Sequence, residues 1–153
     1  MFSVREIIDM AIQIEKNGEG YYREALRKTT DPSLESLLLF LADQESKHAR
    51  WFEELKKRLK APAEGGDLAE IDGTMLLRLV GKQRFSLDDV DVSQLDDVKK
   101  LLDVSIELEE DTIVFYQMLQ AFIDDPDTLE GLNEIIAEEN RHIEMLNDYK
   151  RPH

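Results

Sequence analysis

Two short stretches, Glu45-Ser46-Lys47-His48 and Glu139-Asn140-Arg141-His142, decide how the chain can fold. Each places a carboxylate and an imidazole three residues apart, and on an α-helix this spacing brings both groups onto one face, one turn apart. Both groups can then reach the same metal ion. The chain has only three histidines, and two of them occur in this pattern. The repeated motif predicts a metal site built from two helices.

Apolar residues surround each motif at helical spacing. The stretch that contains Glu45 and His48 follows Asp31-Pro32, which has the residue types of a helix N-cap and first turn, and we expect this helix to run to about Lys60. A second Asp-Pro pair, Asp125-Pro126, opens the helix that contains Glu139 and His142. Apart from the two motifs, the inward positions of these helices are apolar. They are Leu34, Leu38, Leu41, Phe52, Leu55 and Leu59 in the first of the two helices, and Leu132, Ile135, Leu146 and Tyr149 in the other.

Two further amphipathic helices are predicted, and each carries one glutamate on its apolar face. The first begins at the capping box formed by Ser3 and Glu6 and runs to about Lys28, with Glu15 among its inward positions. The other begins near Ser93 or Gln94, and Glu109 lies at its centre. Its inward positions are Leu95, Val98, Leu102, Ser105, Thr112, Tyr116, Leu119 and Ile123.

An internal repeat relates the two halves of the chain. Glu15 and Glu109 are 94 positions apart, and the same interval separates Tyr22 from Tyr116, Asp31-Pro32 from Asp125-Pro126, Glu45 from Glu139, and His48 from His142. A register without gaps over two helices and a turn indicates one helical hairpin used twice. The neighbouring acids Glu19, Glu110 and Glu138 pair with Ile113, Lys16 and Gln44, so none of them is a symmetric ligand.

The repeat predicts an all-α fold, a four-helix bundle of two hairpins related by a pseudo-two-fold axis. We expect a single domain over residues 1–153, with the hairpins at about 3–60 and 95–150. The connection from about 61 to 94 is long enough to cross over, and Ile71 to Val80 is expected to form a short helix inside it.

The buried charge makes the case for metal. Four carboxylates in an apolar core would each cost several kcal/mol if they stayed ionised and unpaired. Two divalent ions neutralise four carboxylates while both histidines stay neutral. Zinc or manganese competes with iron here, because carboxylate and imidazole ligands suit all three. The alternative, ordinary hydrogen-bonded core residues, must explain six coincident positions. The predicted metal ligands are Glu15, Glu45, His48, Glu109, Glu139 and His142.

Two tyrosines lie on the same stripes as the glutamates. Tyr22 and Tyr116 follow Glu15 and Glu109 by seven residues, or about two helical turns. We expect each hydroxyl to hold a carboxylate of the opposite hairpin in place. The alternative for both is an ordinary aromatic core residue.

Composition excludes several kinds of site and partner. The absence of cysteine excludes disulfides, iron–sulfur clusters and rubredoxin-type iron in this chain, and the methionines show no haem or copper spacing. A formal charge of −15 disfavours binding to nucleic acid and to anionic membranes. No signal peptide or apolar run long enough to span a membrane is evident, so a cytoplasmic protein is expected.

The helices carry strings that resemble the ferritin-like superfamily, most closely the four-helix di-iron domain of rubrerythrins. These strings are residues 11–22 with Glu15 and Tyr22, residues 41–49 with Glu45 and His48, residues 106–116 with Glu109 and Tyr116, and residues 135–142 with Glu139 and His142. The resemblance implies that the six predicted ligands bind two irons, with Glu45 and Glu139 as bridging carboxylates. It also implies reaction with hydrogen peroxide or dioxygen, and a homodimer.

The chain departs from the rubrerythrin pattern in two respects. Rubrerythrins usually carry a rubredoxin domain, which has no counterpart here, so an external redox protein would supply the electrons. They also carry an extra carboxylate one turn after the first ligand of the third helix, where this chain has Thr112.

Two other functions remain open. The ligand set equally resembles the ferroxidase centre of bacterioferritin, which implies iron binding or oxidation without peroxide turnover. Against a bacterioferritin cage, Ser46 replaces the haem-binding Met, and no residues remain for a fifth helix. A bundle whose metals are purely structural is the third possibility.

Overall fold

The computed structural model describes residues 3–59 and 95–151, and within these ranges the chain forms four α-helices and no strand. They are α1 (Val4–Lys28), α2 (Pro32–Arg58), α3 (Leu95–Gln120) and α4 (Pro126–Lys150). The predicted crossover at 61–94 and its expected short helix lie outside the described residues. None of the described helices is long and apolar enough to cross a membrane.

The helix starts follow the predicted capping residues. Ser3 accepts a hydrogen bond from the backbone N–H of Glu6 at 3.2 Å, and Asp31 accepts one from Ser33 at 3.2 Å. Asp125 accepts from the N–H of Thr128 at 3.0 Å. Each side chain satisfies an N–H group that has no partner within its helix, so the three helices begin where the sequence predicts.

Two helix ends differ slightly from the prediction. The second helix ends at Arg58 rather than at about Lys60, because Leu59 takes an extended backbone conformation while its N–H still bonds to the carbonyl of Leu55. The third helix ends at Gln120, although Ile123 was predicted to continue its inner face. Ala121 and Phe122 bond to carbonyls three residues back, which tightens the last turn before Pro126. Ile123 still packs against the core.

The helices form two hairpins that pack together as a four-helix bundle. Helix α1 packs along α2 and α3 along α4, while α1 also contacts α3 and α2 contacts α4. The core consists of two apolar clusters. The first contains Ile8, Ala11, Phe52, Phe115 and Leu132, and the second contains Tyr21, Leu38, Leu41, Leu102 and Leu146. Along each helix, the predicted metal ligands fall between residues of these two clusters.

Candidate metal centre

The structure brings all six predicted ligands together in the middle of the bundle. Helices α1 and α3 each contribute one glutamate, and α2 and α4 each contribute one glutamate and one histidine. All six side chains are buried, although carboxylates and imidazoles normally stay in contact with water. Their position between two apolar clusters removes them from water, so their charges interact more strongly than they would at the surface.

The six side chains form two overlapping groups of four. Glu15, Glu45, His48 and Glu139 each offer a ligand atom within 4.8 Å of the others, and so do Glu45, Glu109, Glu139 and His142. Glu45 and Glu139 belong to both groups. This arrangement suits two metal ions that share two carboxylates.

Both imidazoles direct the same nitrogen toward the carboxylates. Nδ1 of His48 lies 2.6 Å from Oε1 of Glu139 and 3.6 Å from Oε2 of Glu15. Nδ1 of His142 lies 3.6 Å from Oε2 of Glu109, 3.7 Å from Glu139 and 3.8 Å from Glu45. The rings are nearly parallel, with centroids 6.0 Å apart. Each Nδ1 is therefore placed to act as a metal ligand beside carboxylate oxygens.

A cation fits the hydrogen bonding of the site. In the described part of the chain, seven buried side-chain nitrogen and oxygen atoms have no hydrogen bond, and all seven belong to the predicted ligands. Even the short contact between His48 and Glu139 lacks hydrogen-bond alignment. Buried polar groups without partners are costly, and a bound metal would satisfy oxygen and Nδ1 atoms alike. The carboxylate and imidazole donors suit iron, manganese or zinc.

Each tyrosine hydroxyl reaches a glutamate of the opposite hairpin. The hydroxyl of Tyr22 donates to Oε1 of Glu109 at 2.8 Å, and that of Tyr116 donates to Oε1 of Glu15. In each case the other oxygen of the glutamate, Oε2, has no hydrogen bond. Each tyrosine thus fixes one oxygen and leaves the other for a cation.

Burial and mutual repulsion raise the pKa of two carboxyls. Burial raises the pKa of Glu45 well above its ordinary value, and the charges of Glu109, Glu139 and Glu15 add to the increase. Burial, together with the charge of Glu139, raises the pKa of Glu109 to about 8, although nearby His142 partly opposes this increase. Protons would compete with metal for both groups.

The other titratable groups shift in the direction that pairs charges. Burial raises the pKa of Glu139, but contacts with Glu109, His142 and His48 outweigh it and leave this pKa well below its usual range. Burial lowers the pKa of both imidazoles, yet the surrounding carboxylates raise that of His48 to about 11 and that of His142 to about 9. The site therefore favours positive charge next to Glu139.

One contact of the site was not predicted from the sequence. Nε2 of His48 lies 2.8 Å from Oε2 of Glu138, the residue immediately before Glu139. The sequence did contain a signal, because Glu138 is paired by the repeat with the uncharged Gln44. That mismatch excludes Glu138 as a symmetric ligand, but it does not show which side chain Glu138 contacts.

The repeat is also unequal at Gly18 and Thr112. Gly18 is half-buried, and a Cβ added there would lie 3.5 Å from Cγ and Cδ of Glu45. Thr112 is buried, and its hydroxyl donates to the carbonyl of Leu108 at 2.8 Å. The two repeat positions therefore differ, because Gly18 packs against Glu45 without a side chain whereas Thr112 carries a buried hydroxyl.

A solved structure shares the fold of this chain. It is a crystal structure of a Thermotoga maritima protein described as ferritin-like and di-iron-carboxylate, which superposes with a TM-score of 0.70 at 24% sequence identity. The match covers 98% of this chain and 95% of that one, and it supports the ferritin-like fold. Comparison with curated proteins gives no match.

Comparison with protein-family models identifies the family. The rubrerythrin model matches residues 6–150, which include all four helices except the first two residues of α1, and every residue of the candidate centre. The chain belongs to the rubrerythrin family.

Proposed function

We propose that the chain is a non-haem di-iron oxidoreductase that reduces hydrogen peroxide, or dioxygen, with electrons from an external donor. The observation that carries this proposal is the pair of buried Glu/His groups with two carboxylates in common. Glu15 and His48 would hold one iron, Glu109 and His142 the other, and Glu45 and Glu139 both. When bound, two ferrous ions would supply the two electrons that, with two protons, convert hydrogen peroxide to two waters.

The charge of the ligand set supports this chemistry. Four ionised carboxylates and two neutral imidazoles balance two divalent ions, so the buried site carries no net charge in the reduced state. Compensation of this kind stabilises metal in a core that excludes other counterions. The glutamates and histidines are therefore proposed as ligands rather than as acids or bases.

The tyrosines are proposed to position the carboxylates. Burial raises the pKa of Tyr22 well above its ordinary value, and the negative charge of Glu109 adds to the increase. Burial and the charge of Glu15 act on Tyr116 in the same way. Both hydroxyls stay protonated at neutral pH, so each remains a hydrogen-bond donor to its glutamate throughout the reaction.

Peroxide is proposed to approach from the side of Gly18. The side chain of Glu45 is 5% exposed, whereas that of Glu139 on the opposite wall is fully buried. At Gly18 no side chain covers Glu45, since an added Cβ would lie in contact with its Cγ and Cδ at 3.5 Å. A molecule as small as peroxide needs only a narrow opening, while larger reductants stay outside.

The remaining features of the proposal follow from composition and family. The chain has no cysteine and so no iron–sulfur or rubredoxin-type centre of its own, and an external redox protein is proposed as the donor. We further propose a cytoplasmic homodimer that acts under oxidative stress.

The test is elemental analysis of anaerobically purified protein, followed by an optical titration with peroxide. Two irons per chain, with ferric absorption in the near ultraviolet that is complete at one peroxide per iron pair, is the expected result. Protein reloaded with zinc is the matched control and should show no absorption change. Two irons that peroxide leaves ferrous would refute the peroxidase proposal.

Thr112 favours the alternative of iron oxidation without peroxide turnover, because its buried hydroxyl offers no carboxylate to the centre. Stopped-flow oxidation of the ferrous protein separates the two functions. Faster oxidation by peroxide than by dioxygen supports the peroxidase, and the reverse order supports a ferroxidase. A particle near the monomer or dimer mass with two metals per chain would exclude mineral storage.

A further inference from the structure

The pseudo-two-fold repeat predicts two equivalent metal positions, but the surroundings of the two histidines differ. Both rings direct Nδ1 toward the carboxylates, and both are buried. The difference lies at Nε2, on the outer edge of each ring. What contacts Nε2 controls how firmly the ring is held, and therefore how well Nδ1 binds a metal.

On one side, Nε2 of His48 has a charged partner. It lies 2.8 Å from Oε2 of Glu138, which comes from α4 of the other hairpin. An ionised carboxylate only accepts hydrogen bonds, so Nε2 keeps its proton and donates to Glu138, and Nδ1 is the nitrogen that would lose its proton and bind a metal. The side chain of Glu138 is 31% exposed, so its own charge remains partly solvated while it holds the ring.

On the other side, Nε2 of His142 has no such partner. It is buried without a hydrogen bond to any of the described residues, and the ring of Phe40 stands edge-on to the imidazole with centroids 5.9 Å apart. The repeat places Gln44, a neutral residue, at the position that corresponds to Glu138. No carboxylate therefore fixes the tautomer or the orientation of His142.

We propose that Glu138 is a positioning residue that makes the two metal positions unequal, so that the position held by His48, Glu15 and the shared carboxylates fills first. Carboxylates that hold a ligating histidine typically change metal affinity about 10- to 100-fold, and a difference of this size is expected here. The inference rests on the proposed metal centre but not on peroxide turnover.

The experiment is an anaerobic titration of the full chain with cobalt(II), followed by visible absorption and calorimetry. Wild type should bind two ions in two resolved steps. Glu138→Gln should weaken the first step by roughly 10- to 100-fold, because both histidines then lack a carboxylate. Gln44→Glu should strengthen the second step and bring the two affinities together.

Two sets of controls keep the result specific. Glu134→Gln removes one negative charge from an exposed position one turn earlier on α4, and it should leave both steps unchanged. His142→Ala should retain the tighter step, whereas His48→Ala should abolish it. A misfolded Glu138→Gln variant could lose affinity for an unrelated reason. A gain of affinity in Gln44→Glu cannot result from misfolding, so this reciprocal variant tests the inference independently.

Each other outcome has a definite meaning. Repulsion between the two ions would also separate the steps, but that separation would survive in Glu138→Gln. An unchanged first step in this variant, or equal affinities in wild type, overturns the inference and leaves the metal centre intact. Failure of wild type to bind two ions overturns the metal centre itself, and with it the inference.

Discussion

Two tyrosine hydroxyls set the orientation of two glutamate carboxylates at the centre. Tyr22 and Tyr116 each donate to the Oε1 atom of a glutamate from the other hairpin. A free carboxylate rotates between several orientations, and the hydrogen bond selects one of them. The tyrosines therefore order the carboxylates before metal binds, so that metal binding costs less conformational entropy.

Removal of either hydroxyl should weaken metal binding. We expect Tyr22→Phe and Tyr116→Phe each to reduce the affinity for cobalt(II) by roughly 10- to 100-fold, because Glu109 or Glu15 loses its fixed orientation. Calorimetric titration measures this change. Tyr21→Phe is the matched control, since its buried hydroxyl donates to the carbonyl of Leu101 at 3.0 Å, away from the centre. Equal losses in all three variants would assign the effect to general destabilisation.

Protons should compete with metal at neutral pH. The pKa of Glu109 is raised to about 8 and that of His142 to about 9, so both groups hold a proton at pH 7 that a metal ion must displace. Affinity for manganese(II) should therefore rise with pH between 6 and 8, by about tenfold per pH unit for each proton displaced, and less steeply above pH 8, where Glu109 has already lost its proton. Calorimetry in buffers of different ionisation heats counts the released protons. An affinity that does not change over this range would contradict the assignment of these groups as ligands.

At the scale of the helices, one close approach depends on a glycine. A Cβ on Gly131 would lie 2.5 Å from Cζ2 of Trp51, whose ring also packs edge-on against Phe52 at 5.0 Å. The indole of α2 can contact α4 this closely only because residue 131 has no side chain. This contact helps to set the spacing between the hairpins on one side of the bundle.

Gly131→Ala should destabilise the protein by about 1–3 kcal/mol, because the indole ring must shift within a packed interface. Thermal unfolding followed by circular dichroism measures the effect as a decrease in Tm. Gly20→Ala is the matched control, since a Cβ at this exposed helical position meets nothing within 4 Å. That control should stabilise the protein by about 0.5–1 kcal/mol. A Gly131→Ala variant as stable as wild type would show that Trp51 repacks freely.

The four described helices were predictable because their signals are local. Ser3, Asp31 and Asp125 cap helices as their residue types predict, and the 94-residue interval placed the six candidate ligands on facing helices. The end of α3 was predicted less well, because the bonds that tighten its last turn at Ala121 and Phe122 leave no mark in the apolar pattern.

The contact of Glu138 with His48 required the structure. Sequence spacing shows which residues share a helical face, but it does not show which neighbouring side chain reaches across to another helix. Glu138 lies beside a predicted ligand and carries the same charge, so its role depends on the orientation of α4 relative to α2. The uncharged Gln44 at the repeat position of Glu138 was the indication in the sequence that the two histidines have different neighbours.

For the whole molecule, metal binding and folding should be linked. The carboxylates of the centre are buried between apolar clusters, and only the folded chain brings them together. A metal that binds the native state alone stabilises it by about 2.7 kcal/mol at 100 times its Kd. Stability should consequently depend on the concentration of free metal.

Free cobalt(II) at 100 times its Kd should raise Tm by roughly 5–11 °C, and a chelator should reverse the change. Differential scanning calorimetry with and without chelator is the measurement. Magnesium is the control, because it seldom accepts imidazole ligands and should not bind the centre. It can still bind weakly to acidic groups at the surface of this chain, which has a formal net charge of −15. An equal rise in Tm with magnesium would assign the stabilisation to surface charge rather than to the centre.

The interval of 94 residues also bears on how a dinuclear site can specialise. A homodimer of one hairpin would place identical residues at both positions, since one gene segment would encode both. In this chain the two copies are covalently joined and separately encoded, so Gln44 can differ from Glu138 and Gly18 from Thr112. Fusion of the two hairpins thus allows mutations to alter one half of the centre while the other half is inherited unchanged.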